Sequence, residues 1–455
     1  MKVLFVVRWA LLFHYYKSII DELCARGHAV HILFDAAKNK TESFDVVAAY
    51  VENNPLCSYA TIPSRSDRWT SILFPARDFL SYRKYLVVAE QADHWRTDWI
   101  EKALPRNIRN FLRNKNSLLN TFFKTRVAGA LLRIPEHFVP PDAGISAFLR
   151  DYKPDVVIGA PGNMRNSSAD TEFLKAARAL GIPTVLPVMS WDNLTVRGLI
   201  HVIPDLLLAW NEEHMREAIT HHAVPKERIR ITGSPLFDQW LVRRKPSESR
   251  AAFCQRYGFN NKCPVILYLG SSKNIARDES WVIKKIASRL RQSKKRALQD
   301  AHIIIRPHPA NIHPFEHLSL PNVTLQKDAQ LPEKEAAASL FADSVFFADA
   351  IVGVNTSAML DAMALGKPVI TFMPQQYEET QNASLHFRNL LSHQATPIAK
   401  NEDELLCVIE DIMEHKNSYD RQRKRFISQF IWPRGTEYSA GTVAAREIEL
   451  LVKKR

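Results

Sequence analysis

The sequence predicts an α/β protein made of two doubly wound, Rossmann-like domains that face each other across a cleft. Buried-strand patterns alternate with helical patterns twice along the chain, and a charged segment at 243–250 separates the two series. This alternation is typical of parallel sheets covered by helices. At 455 residues the chain is also too long to form a single core.

The first series predicts an N-terminal domain over residues 1–242. Its predicted strands are 3–7, 29–34, 155–159, 184–188, 205–210 and 229–233. A helix at 16–25 is followed by Gly27, which suits the end of a helix, and Asn211 is a favourable N-cap for another. Residues from about 40 to 145 lack this alternation of strand and helix patterns and are expected to form an irregular and helical insertion.

The second series predicts a C-terminal domain over residues 251–435, after a linker at 243–250. Its predicted strands are 264–270, 302–306, 351–354 and 368–372. Residues 436–455 are expected to form a C-terminal helix, with its regular part at about 443–453.

The net charge of +13 suggests an anionic partner, and the positions of the basic residues indicate which kind of partner to expect. Residues 105–133 carry seven basic side chains and no acidic one, with apolar residues close to helical spacing. A basic amphipathic helix suits a membrane surface, and packing on its own domain is the alternative. Nucleic acid is not expected as a partner, because no recognised nucleic-acid module is present.

The expected location is the cytoplasm, with peripheral attachment to the inner face of the cytoplasmic membrane through residues 105–133 as a further expectation. No apolar run approaches the roughly 18–20 residues that span a bilayer. The five cysteines are scattered, without a CxxC pair, which favours free structural thiols.

Polar, anion-binding turns follow three predicted strands of the second domain. They are Gly270-Ser271-Ser272-Lys273, then Arg306 with His308, and then Asn355-Thr356-Ser357. Ligands of open α/β sheets bind at these carboxyl ends, where helix N-termini and backbone amides hold phosphate. Each turn alone has a structural alternative, such as plain N-capping by the Asn355-Thr356-Ser357 segment or a turn histidine at 308. Together they predict a phosphate site.

Two further residues are candidates for contact with the rest of a nucleotide. Asp361 lies one turn into the helix after Ser357 and could accept hydrogen bonds from ribose hydroxyls. A solvated helix carboxylate is its alternative. Thr380 follows the strand that ends at Phe372 and is expected to close over the ligand.

These motifs resemble the C-terminal domain of GT-B-fold glycosyltransferases. The similarity lies in Arg306-Pro307-His308-Pro309, in the segment 353–361, and in Ala364-Leu365-Gly366-Lys367-Pro368-Val369. It is strongest with surface and capsular polysaccharide transferases, CDP-glycerol glycerophosphotransferases and HP-motif transferases. The resemblance implies that His308, Arg306, Thr356 and Ser357 contact donor phosphates or nucleotide. The E-x7-E spacing of many GT-B enzymes is absent near Asp361, which leaves the nucleotide open.

The same resemblance extends to the N-terminal half, which is then expected to hold the acceptor and a general base. Similar enzymes often place a catalytic histidine in the turn after the first strand, where this chain has His14. Asp192, in a Trp-Asp-Asn-Leu turn at a strand end, is the rival base. Packing against the aromatic neighbours is the alternative reading of His14.

The predicted function is glycosyl transfer from a nucleotide-activated sugar to a surface glycan or a lipid-linked acceptor. No cofactor is expected, and the absence of a DxD triplet favours a metal-independent reaction in which cations and helix N-termini stabilise the departing phosphate. The alternatives are a polyol-phosphate transferase of the CDP-glycerol type, a sugar-nucleotide 2-epimerase, and a non-catalytic glycan-assembly protein docked on a membrane.

Overall fold

A computed structural model of the chain describes residues 1–36, 44–62, 64–88, 93–161, 168–327, 335–414 and 419–454. These residues form two compact units. Unit 1 runs from Met1 to Asp238 and resumes at Phe430, and unit 2 comprises Gln239–Gln429. Residues 239–242 therefore belong to unit 2, and residues 430–435 to unit 1, whereas the sequence pattern assigned each group to the other domain.

Asp238 explains why the C-terminal helix returns to unit 1. Its carboxylate accepts hydrogen bonds from the backbone amides of Ala440 at 3.0 Å and Gly441 at 2.9 Å, at the start of that helix. At Gly441 the helix lies so close to the backbone of Ser18 that a Cβ atom would overlap the Ser18 carbonyl oxygen. Glycine is required there by close approach rather than by backbone conformation.

The strands of unit 1 form one parallel sheet in the order β3-β2-β1-β4-β5-β6-β7. In register, Lys2 pairs with Ala29 and Val3 with Val156. The strands are β1 Lys2–Val7, β2 Ala29–Asp35, β3 Cys57–Ile62, β4 Val156–Ala160, β5 Thr184–Pro187, β6 Leu206–Ala209 and β7 Ile229–Ile231.

Helices cover both faces of this sheet, and further helices of unit 1 form the insertion. They are α1 Phe13–Ala25, α2 Asp45–Glu52, α3 Thr70–Val87, α4 Asp93–Ala103, α5 Arg109–Arg113, α6 Leu118–Lys124, α7 Arg126–Phe138, α8 Ala143–Tyr152, α9 Ala169–Ala179, α10 Asn193–Val196, α11 Glu212–His222 and the C-terminal α21 Ala440–Lys453. Two predicted helix ends are confirmed: Gly27 has φ +80°, and the Asn211 side chain accepts a hydrogen bond from the His214 amide at 2.9 Å.

Unit 2 contains a second parallel sheet, in the order β10-β9-β8-β11-β12-β13. Its strands are β8 Val265–Leu269, β9 His302–Arg306, β10 Val323–Leu325, β11 Ala350–Gly353, β12 Val369–Phe372 and β13 Ile398–Ala399. Its helices are α12 Gln239–Val242, α13 Arg250–Arg256, α14 Ser280–Arg291, α15 Arg296–Gln299, α16 Glu335–Phe347, α17 Ser357–Ala364, α18 Leu385–Ser392, α19 Glu402–Glu414 and α20 Asp420–Phe426. The predicted pair of doubly wound units is confirmed.

The insertion differs from its prediction in two respects. Residues 57–62 add an edge strand to the first sheet, which the sequence pattern did not separate from irregular structure. The single basic helix expected over 105–133 is wrong. It is divided into α5, α6 and α7, because Ser117 and Thr125 each accept a hydrogen bond from a backbone amide and so begin a new helix. No helix among the described residues is long and apolar enough to cross a membrane.

A buried ion network attaches the insertion to the sheet layer. Glu172 on α9 accepts hydrogen bonds from Arg65, at 2.9 Å, and from Arg77 on α3. Arg77 also donates to Glu136 on α7 at 2.7 Å. The side chains of Arg65, Arg77 and Glu172 are at most 1% exposed, so each charge depends on its partners for solvation.

Removing Glu172 is expected to destabilise unit 1 severely. Glu172→Ala leaves two buried guanidinium groups short of a partner, and the cost of breaking a buried pair is about 3–5 kcal/mol. Urea unfolding followed by tryptophan fluorescence measures it. Glu101→Ala is the matched control, because its pair with Arg113 is exposed and is worth at most about 1 kcal/mol. Equal losses for the two variants would contradict this account.

Candidate active site

Three adjacent strands of unit 2 end at a small pocket. β9, β8 and β11 are neighbours in the sheet, and their ends and following turns contribute to the pocket lining Gly270, Arg306, His308, Thr356 and Ser357. The cavity is about 70 Å³, against the roughly 300–1,000 Å³ of a complete small-molecule site. Unit 2 alone thus encloses space for one small group and not for a whole nucleotide.

Gly270 sets the distance between the turns after β8 and β9. Its amide donates a hydrogen bond to the Arg306 carbonyl at 2.9 Å. A Cβ atom at this position would lie 3.2 Å from both the His308 nitrogen and the Pro307 Cα. Because those contacts are backbone atoms, a side chain would displace the turn that carries His308.

Contacts with Gln326 and Phe341 hold Arg306 in the pocket wall. Its Nη1 donates to Gln326 Oε1 at 2.7 Å, and its guanidinium lies 4.9 Å from the centroid of the Phe341 ring. Only 6% of Arg306 is exposed. A guanidinium fixed in this way presents a preorganised positive charge to an anion.

His308 is oriented by its own turn. Its Nδ1 accepts a hydrogen bond from the Ala310 amide at 3.1 Å, so the neutral ring carries its proton on Nε2. Burial lowers the pKa of His308, which keeps the ring neutral near pH 7. The Nε2–H group can therefore donate to an oxyanion.

The N-terminus of α17 forms the third side of the pocket. Thr356 is the N-cap residue, but its side chain accepts no hydrogen bond from the first turn, and that turn has no acidic residue. Ser357 is exposed. The positive end of the helix dipole is therefore left for an external anion, in addition to the charge of Arg306.

Asp361 lines the same pocket and is almost fully buried, so it is not a solvated helix carboxylate. Burial raises its pKa to about 7, although Trp240 and Arg306 both act to lower it. Trp240 Nε1 donates to Asp361 Oδ1 at 2.6 Å. The pocket thus contains a carboxyl group that gains or loses its charge near neutral pH.

The remaining predicted donor residues lie behind the pocket rather than in its lining. Ser271 Oγ accepts a hydrogen bond from the Asn355 amide at 3.2 Å, which joins the ends of β8 and β11. Thr380 Oγ1 donates to the Ile275 carbonyl at 2.6 Å. Ser272 is half-buried and Lys273 is exposed, and neither lines the pocket.

Glu279 was missed by the sequence analysis, although it organises the turn after β8. It is fully buried and accepts hydrogen bonds from the Ser271 amide at 2.7 Å and the Tyr268 hydroxyl at 3.1 Å. Burial raises its pKa to about 7. An acidic residue before an amphipathic helix gave no signal, because such a residue is usually a solvated helix cap.

The two candidate bases lie in unit 1, at carboxyl ends of its sheet. His14 is in the first turn of α1, after β1, and its Nδ1 lies 2.6 Å from the Leu11 carbonyl oxygen. That contact places the proton on Nδ1 and leaves the Nε2 lone pair available, while burial lowers the pKa of His14 to about 4. Asp192 follows β5. It accepts a hydrogen bond from Ser190, and its Oδ2 lies 3.7 Å from Arg197 Nη2.

A family model described as CDP-glycerol:poly(glycerophosphate) glycerophosphotransferase matches residues 201–452, which is more than half of the chain and contains the whole pocket of unit 2. The chain belongs to this transferase family. No curated protein matches the chain.

Solved structures similar to this family member share its fold. A UDP-GlcNAc 2-epimerase from Methanocaldococcus jannaschii is 15% identical, with a TM-score of 0.55 and full coverage of both chains. A UDP-GlcNAc 2-epimerase from Neisseria meningitidis bound to UDP-GlcNAc is 13% identical, with a TM-score of 0.54 and full coverage of both chains. UGT89C1 from Arabidopsis thaliana, complexed with UDP, is 12% identical, with a TM-score of 0.53, over 99% of this chain and 100% of that chain. At these identities the likeness establishes the fold, and the predicted GT-B fold is confirmed.

The charge state of Asp361 is expected to control anion binding. Protonation near its pKa of about 7 removes a negative charge from the pocket, so affinity for sulfate should rise about tenfold between about pH 8 and about pH 6. Sulfate is chosen because it does not titrate in this range. The pKa of His308 is lowered from its ordinary value, so Asp361 is the pocket group expected to change its charge. Isothermal titration calorimetry measures the effect.

Asp361→Asn should bind sulfate at about pH 8 as tightly as the unchanged protein does at about pH 6, because an amide oxygen can still accept from Trp240. Glu279→Gln is the control, since Glu279 has a similar pKa but does not line the pocket. If the pH dependence survives in Asp361→Asn, another group controls the site.

Proposed function

We propose that the protein transfers a polyol phosphate from a nucleoside-diphosphate-linked donor to a hydroxyl of a surface glycan or lipid-linked acceptor. The match to the glycerophosphotransferase family, whose matched region includes the pocket of unit 2, carries this choice. The donor is of the CDP-polyol class, and one phosphate of its diphosphate binds in that pocket.

The pocket chemistry supports a role for unit 2 in holding a leaving phosphate. Arg306 contributes a fixed positive charge, His308 a neutral Nε2–H donor, and α17 the amides of its first turn. All three are preorganised, so they stabilise developing negative charge without reorganising during the reaction. We propose that these groups perform this role without a metal ion.

In the proposed reaction the acceptor oxygen attacks the phosphorus that carries the polyol. The bond from that phosphorus to the bridging oxygen breaks, and a nucleoside monophosphate leaves. The acceptor proton passes to a base in unit 1. His14 offers an Nε2 lone pair, although its pKa of about 4 makes it a weak base, and Asp192 is the second candidate.

Glycosyl transfer is the second candidate function. It is supported by the proteins of similar fold that are described as bound to UDP-GlcNAc or complexed with UDP. In that reaction the acceptor attacks the anomeric carbon of the sugar, the bond from that carbon to the phosphate oxygen breaks, and a nucleoside diphosphate leaves. The two candidates therefore differ in the nucleotide that is released.

Analysis of the released nucleotide tests the proposal. With CDP-glycerol and a glycerol-phosphate oligomer as acceptor, chromatography should detect CMP, and a chelator should leave the rate unchanged. Release of a diphosphate from a UDP- or GDP-sugar would instead establish glycosyl transfer. Conversion of UDP-GlcNAc to its 2-epimer without an acceptor, or no turnover of any donor, would refute both candidates.

His308→Ala is expected to lower kcat about 10²- to 10³-fold, which is the usual cost of losing one donor to a developing oxyanion. His313→Ala is the matched control. It removes an exposed histidine from the same segment, and its side chain is 84% accessible. Comparable losses in both variants would remove His308 from the site.

A further inference from the structure

Unit 1 contains a large open cavity of about 700 Å³ that the proposed reaction does not use. Its walls come from α3 and α7 of the insertion, the last turns of α9 and α11, and the segment 199–203. The volume lies within the range of about 300–1,000 Å³ that is usual for small-molecule sites.

The cavity is strongly cationic. Its lining includes Arg83, Arg133, Lys175 and Arg178, against a single carboxylate from Glu136. Lys84 also lines the cavity, but its ammonium group is buried and donates to the Thr195 carbonyl at 2.9 Å, and burial lowers its pKa to about 7. A concave surface with one sign of charge concentrates counter-ions, which makes this cavity complementary to an anionic group.

Ion pairing within the cavity neutralises little of this charge. Lys175 is paired with Glu136 at 3.0 Å. Among the described residues, the side chains of Arg178 and Arg83 donate to backbone carbonyl oxygens and to no carboxylate. Arg178 donates to Ile203, and Arg83 to Lys124 and Thr125. Within the part of the chain that the structure describes, the side chain of Arg133 is exposed and makes no hydrogen bond or ion pair.

The position of the cavity separates it from the candidate chemistry of unit 1. The last turn of α9 leads into β5, the segment 199–203 into β6, and the last turn of α11 towards β7, so the cavity lies at the amino ends of these strands. His14 and Asp192 lie at carboxyl ends of the same sheet. A ligand of the cavity is therefore not the hydroxyl that reacts.

An apolar stripe on α7 borders the cavity. Val127, Leu131, Ile134 and Phe138 are spaced by four, three and four residues, so they lie on one side of the helix. Their exposed fractions are 64%, 51%, 45% and 80%. Arg133 and His137 lie beside this stripe on the face that lines the cavity.

We propose that the cavity binds the phosphate headgroup of an anionic membrane lipid, while the α7 stripe enters the adjoining acyl region. Charge complementarity selects an anionic headgroup, and the exposed apolar residues next to the cations select a lipid over a soluble phosphate. The site anchors unit 1 at a membrane surface and is distinct from the donor pocket.

Vesicle binding by the full chain tests this proposal. The protein should sediment with phosphatidylcholine vesicles that contain phosphatidylglycerol, much less with pure phosphatidylcholine, and less again at high salt. Arg133→Glu should weaken binding about tenfold or more, because each cation near an anionic surface contributes strongly. Leu131→Ser should weaken it through the loss of buried apolar area.

Two control variants separate these effects from general changes. Arg150→Glu makes the same charge change at an exposed position on α8, outside the cavity lining. Leu450→Ser removes a leucine that is 48% exposed, close to the 51% of Leu131. Neither control should alter vesicle binding, and all four variants should keep the thermal unfolding temperature, since the changed residues are exposed.

The proposal is wrong if Arg133→Glu and Arg150→Glu weaken binding equally, because net charge alone would then explain it. It is also wrong if Leu131→Ser has no effect, or if inorganic phosphate binds by calorimetry while phosphatidylglycerol vesicles do not. His308→Ala should bind vesicles like the unchanged protein. Failure of the proposed transfer reaction would therefore leave this result unaffected.

Discussion

The small pocket of unit 2 depends on the close approach of two strand ends at Gly270. The hydrogen bond from the Gly270 amide to the Arg306 carbonyl extends the pairing of β8 and β9 beyond the last strand residues. Because no side chain separates the two turns, the guanidinium of Arg306 and the ring of His308 reach the same small cavity. Ser271 then joins this pair to β11 through the Asn355 amide, which fixes the start of α17.

The second constraint on this pocket is electrostatic. Arg306 and the α17 N-terminus favour an anion, yet Asp361 lies among them, and a carboxylate there opposes anion binding. Burial resolves the conflict in part by raising the pKa of Asp361 to about 7. Near neutral pH the Asp361 carboxyl group therefore exists in both its neutral and its anionic form. An anion in the pocket favours the protonated, neutral form.

The sequence predicted the parts of the fold that local patterns determine. Alternating strands and helices gave two doubly wound units, and the positions of Arg306, His308 and Thr356 followed from the rule that ligands bind at carboxyl ends. Contacts distant in sequence were not predictable from such patterns. From the sequence, the Ser271 hydroxyl is a candidate phosphate ligand, but in the sheet β11 lies beside β8 and this hydroxyl binds the Asn355 amide. Trp240, a partner of Asp361, comes before the predicted start of the second domain.

In the insertion, too, the local sequence pattern did not predict how the helices pack. Its charge pattern identified a basic, amphipathic segment correctly, but one long helix would have spread the apolar residues along a single surface. Helix caps at Ser117 and Thr125 divide the segment into separate helices. The ion pairs of Arg77 on α3 with Glu136 on α7 and Glu172 on α9 hold these three helices together. The concave arrangement of cations beside the α7 stripe arises from this packing. A flat basic helix recognises surface charge in general, whereas a concave cationic site can also discriminate between anionic groups by their size.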